Sequence, residues 1–136
     1  MWQQPGPEVD IAMDLKALTF RPGSVTQMVA FHVLDHFFPE EAAVALKNWY
    51  DCMAPGATLF VVVDNFEYIS RAVVGGDISV DVFNREHNNP TQFSQVSLSR
   101  ALQAAGFLEG ALVAWFADVP NLFPKKHYEL VISAKK

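Results

Sequence analysis

Cysteine and basic residues are scarce in this 136-residue sequence. Its one cysteine, Cys52, excludes an internal disulfide and a cysteine metal cluster. Ten lysines and arginines stand against fifteen acidic residues, which gives a net charge of −5 at pH 7. A polyanionic partner is therefore disfavoured, and nucleic acid is not expected to bind. No apolar run reaches the roughly 18 residues of a membrane span, so no membrane partner is expected.

The first residues also lack the apolar stretch of a secretory signal, because glutamines and prolines occupy its place. We therefore expect a cytoplasmic protein. Hydrophobic residues, in contrast, are plentiful at 51% of the sequence. That composition and length predict a single domain over residues 1–136, with a loosely ordered lead over residues 1–8.

Two apolar runs with a helical pattern between them form the centre of the sequence. The runs are Val25–Leu34 and Ala57–Asp64, and the helical pattern spans Pro39–Met53. Residues 59 to 63 are apolar at every position, which is typical of a strand buried on both faces of a parallel sheet. The core-facing stripe of the helix is Leu46, Trp49, Tyr50 and Met53. The stretch predicts a βαβ unit, with Pro55-Gly56 ending the helix.

The rest of the chain is predicted to extend or cover this unit. The further elements are a half-buried strand over Val9–Leu15, helices over Phe66–Val74 and Gln95–Ala105, and strands over Ala111–Ala117 and His127–Ala134. The last two are expected to pair in antiparallel fashion. The fold class predicted is α/β, with a mixed, mainly parallel sheet, flanking helices and an antiparallel C-terminal strand pair. The long polar segment Asp77–Phe93 is expected to border any ligand cleft.

Three groups of polar residues are candidates for chemistry. His32 and His36 have a metal-binding spacing only on a helix, and here they straddle a strand end, so no metal site is predicted. Asp64 and Glu67 close the second apolar run, where ligands gather in open α/β sheets.

Glu86 and His87, with Asn84 nearby, are residue types that carry out acid–base catalysis. A solvated loop explains the same residues, and we favour that interpretation.

The order of these pieces resembles the later part of class I S-adenosylmethionine-dependent methyltransferases. Residues 31–37, FHVLDHF, are similar to the family's fourth-strand ending, which usually has a His, an apolar pair, an acidic residue and a His. Residues 45–57 resemble its helix and Pro-Gly-Gly turn, with Ala57 replacing the second glycine. Residues 104–107, AAGF, match the end of a later helix, and residues 9–24 resemble the third strand and turn. The resemblance covers about residues 9 to 134.

The resemblance implies a Rossmann-like fold and S-adenosylmethionine as cofactor. Asp14 would bind the adenine amino group beside the backbone of Leu15, and Phe31 and His32 lie where the family's fourth strand passes the cofactor. In the family a Gly-rich loop cradles the methionine part, and an acidic residue after the second strand holds the ribose. Neither has a match here, so the first two strands and first helix are expected to be absent.

The function expected from the resemblance is that of a truncated methyltransferase-like protein, with no catalytic residue assigned. Methyl transfer would require a second chain to supply the missing cofactor loop. The alternatives are a noncatalytic module that binds a small molecule or a protein, and an assembly scaffold. A homodimer is also expected, because the Val25–Leu34 strand would lack a neighbour and an open apolar edge invites a second copy.

Overall fold

The computed structural model describes residues 10–108, 111–112 and 128–136. Its strands are β1 (Val25–Phe31), β2 (Met53–Asp64), β3 (Ala111–Leu112) and β4 (Glu129–Lys135). Its helices are α1 (Pro39–Cys52), α2 (Phe66–Val74), the three-residue α3 (Val80–Val82) and α4 (Gln95–Ala105). A 3₁₀ turn (Leu34–His36) precedes α1, and a π-helical turn (Phe83–His87) follows α3. Val9 of the predicted first strand, and residues 113–117 and 127 of the two predicted late strands, lie outside the described residues.

The four strands form one mixed sheet in the order β1-β2-β4-β3. β1 runs parallel to β2, whereas β4 runs antiparallel to both β2 and β3. Val61 at the centre of β2 lies opposite Ala30 on one side and Ile132 on the other. The predicted fold class and the antiparallel pairing of the last two strands are therefore confirmed.

β2 is buried on both faces, as its continuous apolar sequence predicts. Leu59, Val61 and Val63 belong to a large core cluster with residues of α1 and α4. Phe60 and Val62 point to the other face and form a smaller cluster with Val131 of β4. A strand of alternating apolar and polar residues would bury side chains on one face only. The unbroken apolar run of β2 therefore indicates burial on both faces.

The junction between α1 and β2 differs from the prediction. The helix ends at Cys52, and Met53 already belongs to β2, so Pro55-Gly56 lies inside the strand rather than before it. The backbone accommodates this pair through an irregularity: Val25 pairs with Met53, but Gln27 pairs with Thr58. Gly56 has a φ of 80°, which only glycine adopts readily. Regular pairing between β1 and β2 therefore begins after Pro55-Gly56, at Gln27 and Thr58.

The predicted strand over Val9–Leu15 is wrong for its described residues 10–15, which carry only an isolated bridge at Asp14. Side chains of α1 form hydrogen bonds with the backbone at the end of this segment and just after it, and no described strand pairs with it. Trp49 Nε1 donates to the Leu15 carbonyl at 2.8 Å. Asn48 bonds both backbone groups of Leu18, at 2.7 and 3.1 Å. Because these backbone groups are satisfied by α1, alternation alone did not make a strand.

The predicted end of α4 is confirmed. Gly106 takes a φ of 113°, its N–H bonds the Gln103 carbonyl at 3.0 Å, and Phe107 packs into the core. A Cβ at this position would come within 3.1 Å of the Tyr50 ring, so glycine also lets α4 approach α1. Within the described ranges, no helix has the length and apolar character that crossing a membrane requires.

Candidate functional site

Polar side chains converge at one edge of the sheet, where β1 and β2 end and the antiparallel β4 begins. They line a cavity of about 370 Å³. The lining residues are Phe31, His32, His36, Asp64, Glu86, His87, Asn89, Tyr128 and Glu129. The carboxyl ends of parallel strands are the usual ligand site of open α/β sheets, and the volume suits a small molecule.

His32 is the residue on which the cavity is centred. It follows β1 directly and has a φ of 53°, a left-handed conformation that a non-glycine residue adopts only when its surroundings hold it there. Its N–H bonds the Val62 carbonyl at 2.9 Å, and its Nε2 bonds Glu129 Oε2. Its Nδ1 lies 3.7 Å from an Asp64 oxygen and 3.9 Å from an Asp35 oxygen. Three carboxylates therefore surround one imidazole.

These carboxylates make His32 a cation at neutral pH. Burial is the largest influence and favours the neutral ring, but Asp35 and Glu129 outweigh it and raise the pKa of His32 to about 9. Burial also acts against the Asp35 carboxylate, yet the bonds from His32 and from the Asp64 N–H hold the pKa of Asp35 below its ordinary value. Asp35 and Glu129 are only 1% and 3% exposed, and the charged His32 is the cation that contacts both of them.

A second histidine is paired with a carboxylate on the opposite wall. His87 Nδ1 lies 2.9 Å from Asp64 Oδ2, and the histidine is only 4% exposed. The Asn89 amide donates to the same oxygen at 3.0 Å. The predicted solvated loop is therefore wrong at His87, because the segment folds back onto the end of β2. Its expected place beside the cavity is confirmed by Glu86, His87 and Asn89 in the lining.

The same cluster offers donor atoms for a metal ion. One ligand atom from each of His32, Asp35 and Asp64 lies within 4.8 Å of the others. A metal would require a neutral His32, however, and the carboxylates favour its protonated form. The protonated ring supplies the positive charge of this cluster.

The four residues that resemblance assigns to the cofactor do not share one cavity. Phe31 and His32 line the cavity at the sheet edge. Leu15 lies in an apolar groove beside β1, and Asp14 lines a separate hollow against α1. The Asp14 carboxylate accepts the Lys16 N–H at 2.9 Å. Their role in cofactor binding stays a prediction.

The described residues do not fit the whole of S-adenosylmethionine. β1 is followed by His32 and β2 by Asn65, so neither strand leads into a glycine-rich loop. A Cβ at Gly23, Gly56 or Gly76 would meet no atom within 4 Å, so none of these glycines marks a cradle for a closely bound group. This part of the chain therefore accounts for the cavity at the sheet edge and not for the methionine end of the cofactor.

Sequence reasoning missed the partners of the two histidines. Glu129 lies 97 positions from His32, and Asn89 lies 25 positions from Asp64, so only the path of the chain brings these pairs together. Asp35 lies three positions from His32, but the Asp64 N–H that it accepts comes from a distant part of the chain. A signal was present in the acidic residues that end or begin apolar runs, since ionised groups next to buried strands need partners.

Comparison with solved structures places this geometry in a known fold. An S-adenosylmethionine-dependent methyltransferase from Thermotoga maritima, described as a possible histamine N-methyltransferase, matches 90% of the chain with a TM-score of 0.60 and 20% identity. A methyltransferase from Methanosarcina mazei matches 91% with a TM-score of 0.62 and 17% identity. Human N-acetylserotonin methyltransferase, solved with S-adenosylmethionine, matches 91% with a TM-score of 0.63 and 16% identity. The chain therefore has a class I methyltransferase-like fold.

The matches extend over only part of the larger proteins. The chain spans 61% of the Thermotoga protein, 65% of the Methanosarcina protein and 32% of the human enzyme. No protein-family model matches the sequence, and no curated protein matches it. The likeness is therefore one of fold.

Proposed function

We propose that this chain forms the methyl-acceptor side of an S-adenosylmethionine-dependent methyltransferase site. The observation that carries the proposal is the cavity at the ends of β1 and β2, in a chain that aligns with methyltransferases over at least nine-tenths of its length. Residues outside the described fold, or a second chain, would hold the methionine end of the cofactor. Phe31 and His32 would lie where the cofactor passes the cavity, and Asp14 and Leu15 remain candidates for its adenine end.

The chain's own residues supply an acceptor site with fixed polar groups. The Asp64 carboxylate orients His87, while Glu129 fixes the ring of His32. Groups whose rotamers are locked by hydrogen bonds can hold a ligand in one orientation without further loss of freedom. These residues would bind and orient the acceptor, and the transferred methyl group would come from the cofactor.

The alternative function is a noncatalytic module that binds a small molecule in the same cavity. The absence of a glycine cradle in the described part of the chain favours it. The two functions share the cavity and differ in the cofactor.

Calorimetric titration with S-adenosylmethionine and S-adenosylhomocysteine distinguishes them. If the chain retains a cofactor site, we expect binding tighter than roughly 100 μM, about −5.5 kcal/mol, and weaker binding by His32→Asn. Lys47→Ala, on the exposed side of α1, is the matched control and should bind as the unchanged protein does. If neither compound gives a binding heat at several temperatures, the chain has no S-adenosylmethionine site of its own. The noncatalytic alternative would then be favoured.

We also propose that the protein is a homodimer. β1 lies at one end of the described sheet and carries no charged side chain that would repel a second strand. Beside it runs a mainly apolar groove that includes Leu18, Met28 and Val29. We expect light scattering at tens of micromolar to give twice the chain mass of 15.1 kDa, and a charge on β1, Met28→Lys, to shift the protein to monomer. A monomeric mass for the unchanged protein would refute the dimer.

A further inference from the structure

The outer edge of β1 carries backbone groups that no described residue satisfies. The His32 N–H donates to the Val62 carbonyl at 2.9 Å, and successive residues of a strand direct their backbone groups to opposite sides. Met28 therefore directs its N–H and carbonyl toward β2, whereas Gln27 and Val29 direct theirs away from the sheet. Within the described ranges, no hydrogen bond reaches these outward groups. They can pair with a further strand.

β1 lacks the devices by which proteins block an open strand edge. Its sequence, VTQMVAF, contains no charged residue and no proline. The irregularity in its pairing with β2 lies between Val25 and Gln27, so the rest of the strand is regular. An uncharged and regular edge of this kind is a template for strand addition.

Pairing of β1 with a second copy of itself is symmetric about Met28. The strand runs from residue 25 to residue 31, so Met28 is its middle residue. If two copies pair antiparallel with full overlap, Met28 lies on the two-fold axis, and Gln27 lies opposite the partner's Val29. Both of these residues direct their backbone outward, as a hydrogen-bonded pair of an antiparallel ladder requires. The same contact occurs twice, so the outward groups of both copies are satisfied.

The apolar groove beside β1 favours antiparallel over parallel pairing. The groove has a volume of about 360 Å³ and lies on the α1 side of the sheet, because Leu18 and Trp49 are among its walls. Antiparallel neighbours in one sheet are related by an axis perpendicular to it, so the two grooves share a face and meet at the axis. Phe20, a groove residue that is 39% exposed, would be covered there. Parallel pairing would turn one copy over and separate the grooves.

The charges at the two ends of β1 favour the same direction. Arg21 is exposed in the turn before β1 and takes part in none of the ion pairs of the described residues. The other end of β1 leads to the cavity, where Asp64, Glu86 and Glu129 outnumber the charged His32. Antiparallel pairing brings the basic end of each copy to the acidic end of its partner, whereas parallel pairing brings like ends together.

We infer that two copies of this chain join their sheets by antiparallel pairing of β1, with Met28 on the two-fold axis. The inference rests on the proposed homodimer and adds its strand, its direction and its register. The described sheet of four strands would continue into the four strands of the second copy. Each cavity then lies at the end of the interface where the turn of the partner copy begins.

Cysteine cross-linking on the full chain tests the register. Met28→Cys should form a covalent dimer of twice 15.1 kDa on mild oxidation, because the Cα atoms of such a non-hydrogen-bonded pair are about 4.5 Å apart. Thr26→Cys should cross-link at least tenfold less. Thr26 lies opposite the partner's Ala30, so the two copies of residue 26 are roughly 13 Å apart along the strands. The unchanged protein is the control, since its Cys52 is 3% exposed.

A second variant tests the edge without adding a charge or a thiol. Gln27→Pro removes one outward N–H, and proline is tolerated on an edge strand when its N–H faces outward. The chain should therefore keep its fold, and light scattering should show self-association weakened at least tenfold. At tens of micromolar, the Val29 amide hydrogen should exchange at least tenfold faster in Gln27→Pro than in the unchanged protein.

The outcomes separate this inference from the proposed function. A dimeric mass with strong cross-linking of Thr26→Cys would mean parallel pairing, and a dimeric mass without cross-linking of Met28→Cys would place the interface elsewhere. Either result overturns the inference and keeps the homodimer, whereas a monomeric mass refutes both. The titration with S-adenosylmethionine tests the cofactor site independently of all three results.

Discussion

Replacing Trp49 by alanine is expected to lower the free energy of unfolding by about 3–5 kcal/mol, the range for emptying a large aromatic core site. Trp49 is 3% exposed and packs in the main core cluster. It also ties the segment before β1 to α1, because its Nε1 donates to the Leu15 carbonyl at 2.8 Å. The variant therefore leaves a cavity and an unpaired backbone carbonyl.

Urea denaturation measures this loss, and two further variants separate its causes. Trp49→Phe keeps most of the volume and removes the hydrogen bond, so it should cost about 1–3 kcal/mol. Val44 lies on the same helix and is 60% exposed, so Val44→Ala should change the free energy of unfolding by less than about 0.5 kcal/mol. A shift of only a degree or two in the melting temperature of Trp49→Ala would show that the indole is not a core residue.

Replacing His32 by asparagine is expected to be similarly costly, about 3–5 kcal/mol, because it leaves buried carboxylates without their counter-charge. The side chains of Asp35, Asp64 and Glu129 are at most 5% exposed, and each has an oxygen within 4 Å of the His32 ring. Asparagine tolerates the left-handed backbone at this position, so the loss reports the missing cation and not backbone strain.

The pH dependence of stability gives an independent test of the same cation. The pKa of His32 is raised from 6.5 to about 9 by folding, so the folded state binds more protons between these values. Its contribution is complete below pH 6.5 and is lost as pH rises through about 9. The unfolding free energy should therefore fall over this range in the unchanged protein and stay nearly constant in His32→Asn.

His36→Asn is the matched control for this experiment. His36 also contacts Asp35, at 3.1 Å, but its side chain is 42% exposed, so its loss should cost less than about 1 kcal/mol. In His36→Asn the free energy of unfolding should still fall with rising pH, as it does in the unchanged protein. A flat pH profile in the unchanged protein, or a loss below about 1 kcal/mol in His32→Asn, would contradict the charged cluster.

Local signals in the sequence were sufficient for most of the elements. The bounds of α2 and α4 agree with the prediction, and those of α1 differ by one residue at its C-terminal end. Periodicity, Pro39 at the start of α1 and Gly106 after α4 act within a few residues, so sequence reasoning can detect them. The alternation before β1 failed because a strand needs a neighbouring strand, and the side chains of α1 satisfy that backbone instead.

By itself the sequence determined that the central strand is buried on both faces, that helices flank it, and that polar groups gather where β1 and β2 end. These properties follow from hydrophobic spacing and from the direction of parallel strands. Only the tertiary structure decided that Glu129 meets His32 and that Asp64 meets His87, contacts that join residues 97 and 23 positions apart. The charge of His32 and the orientation of the His87 ring depend on those contacts. Such contacts are set by how the chain folds back on itself, and no local pattern encodes them.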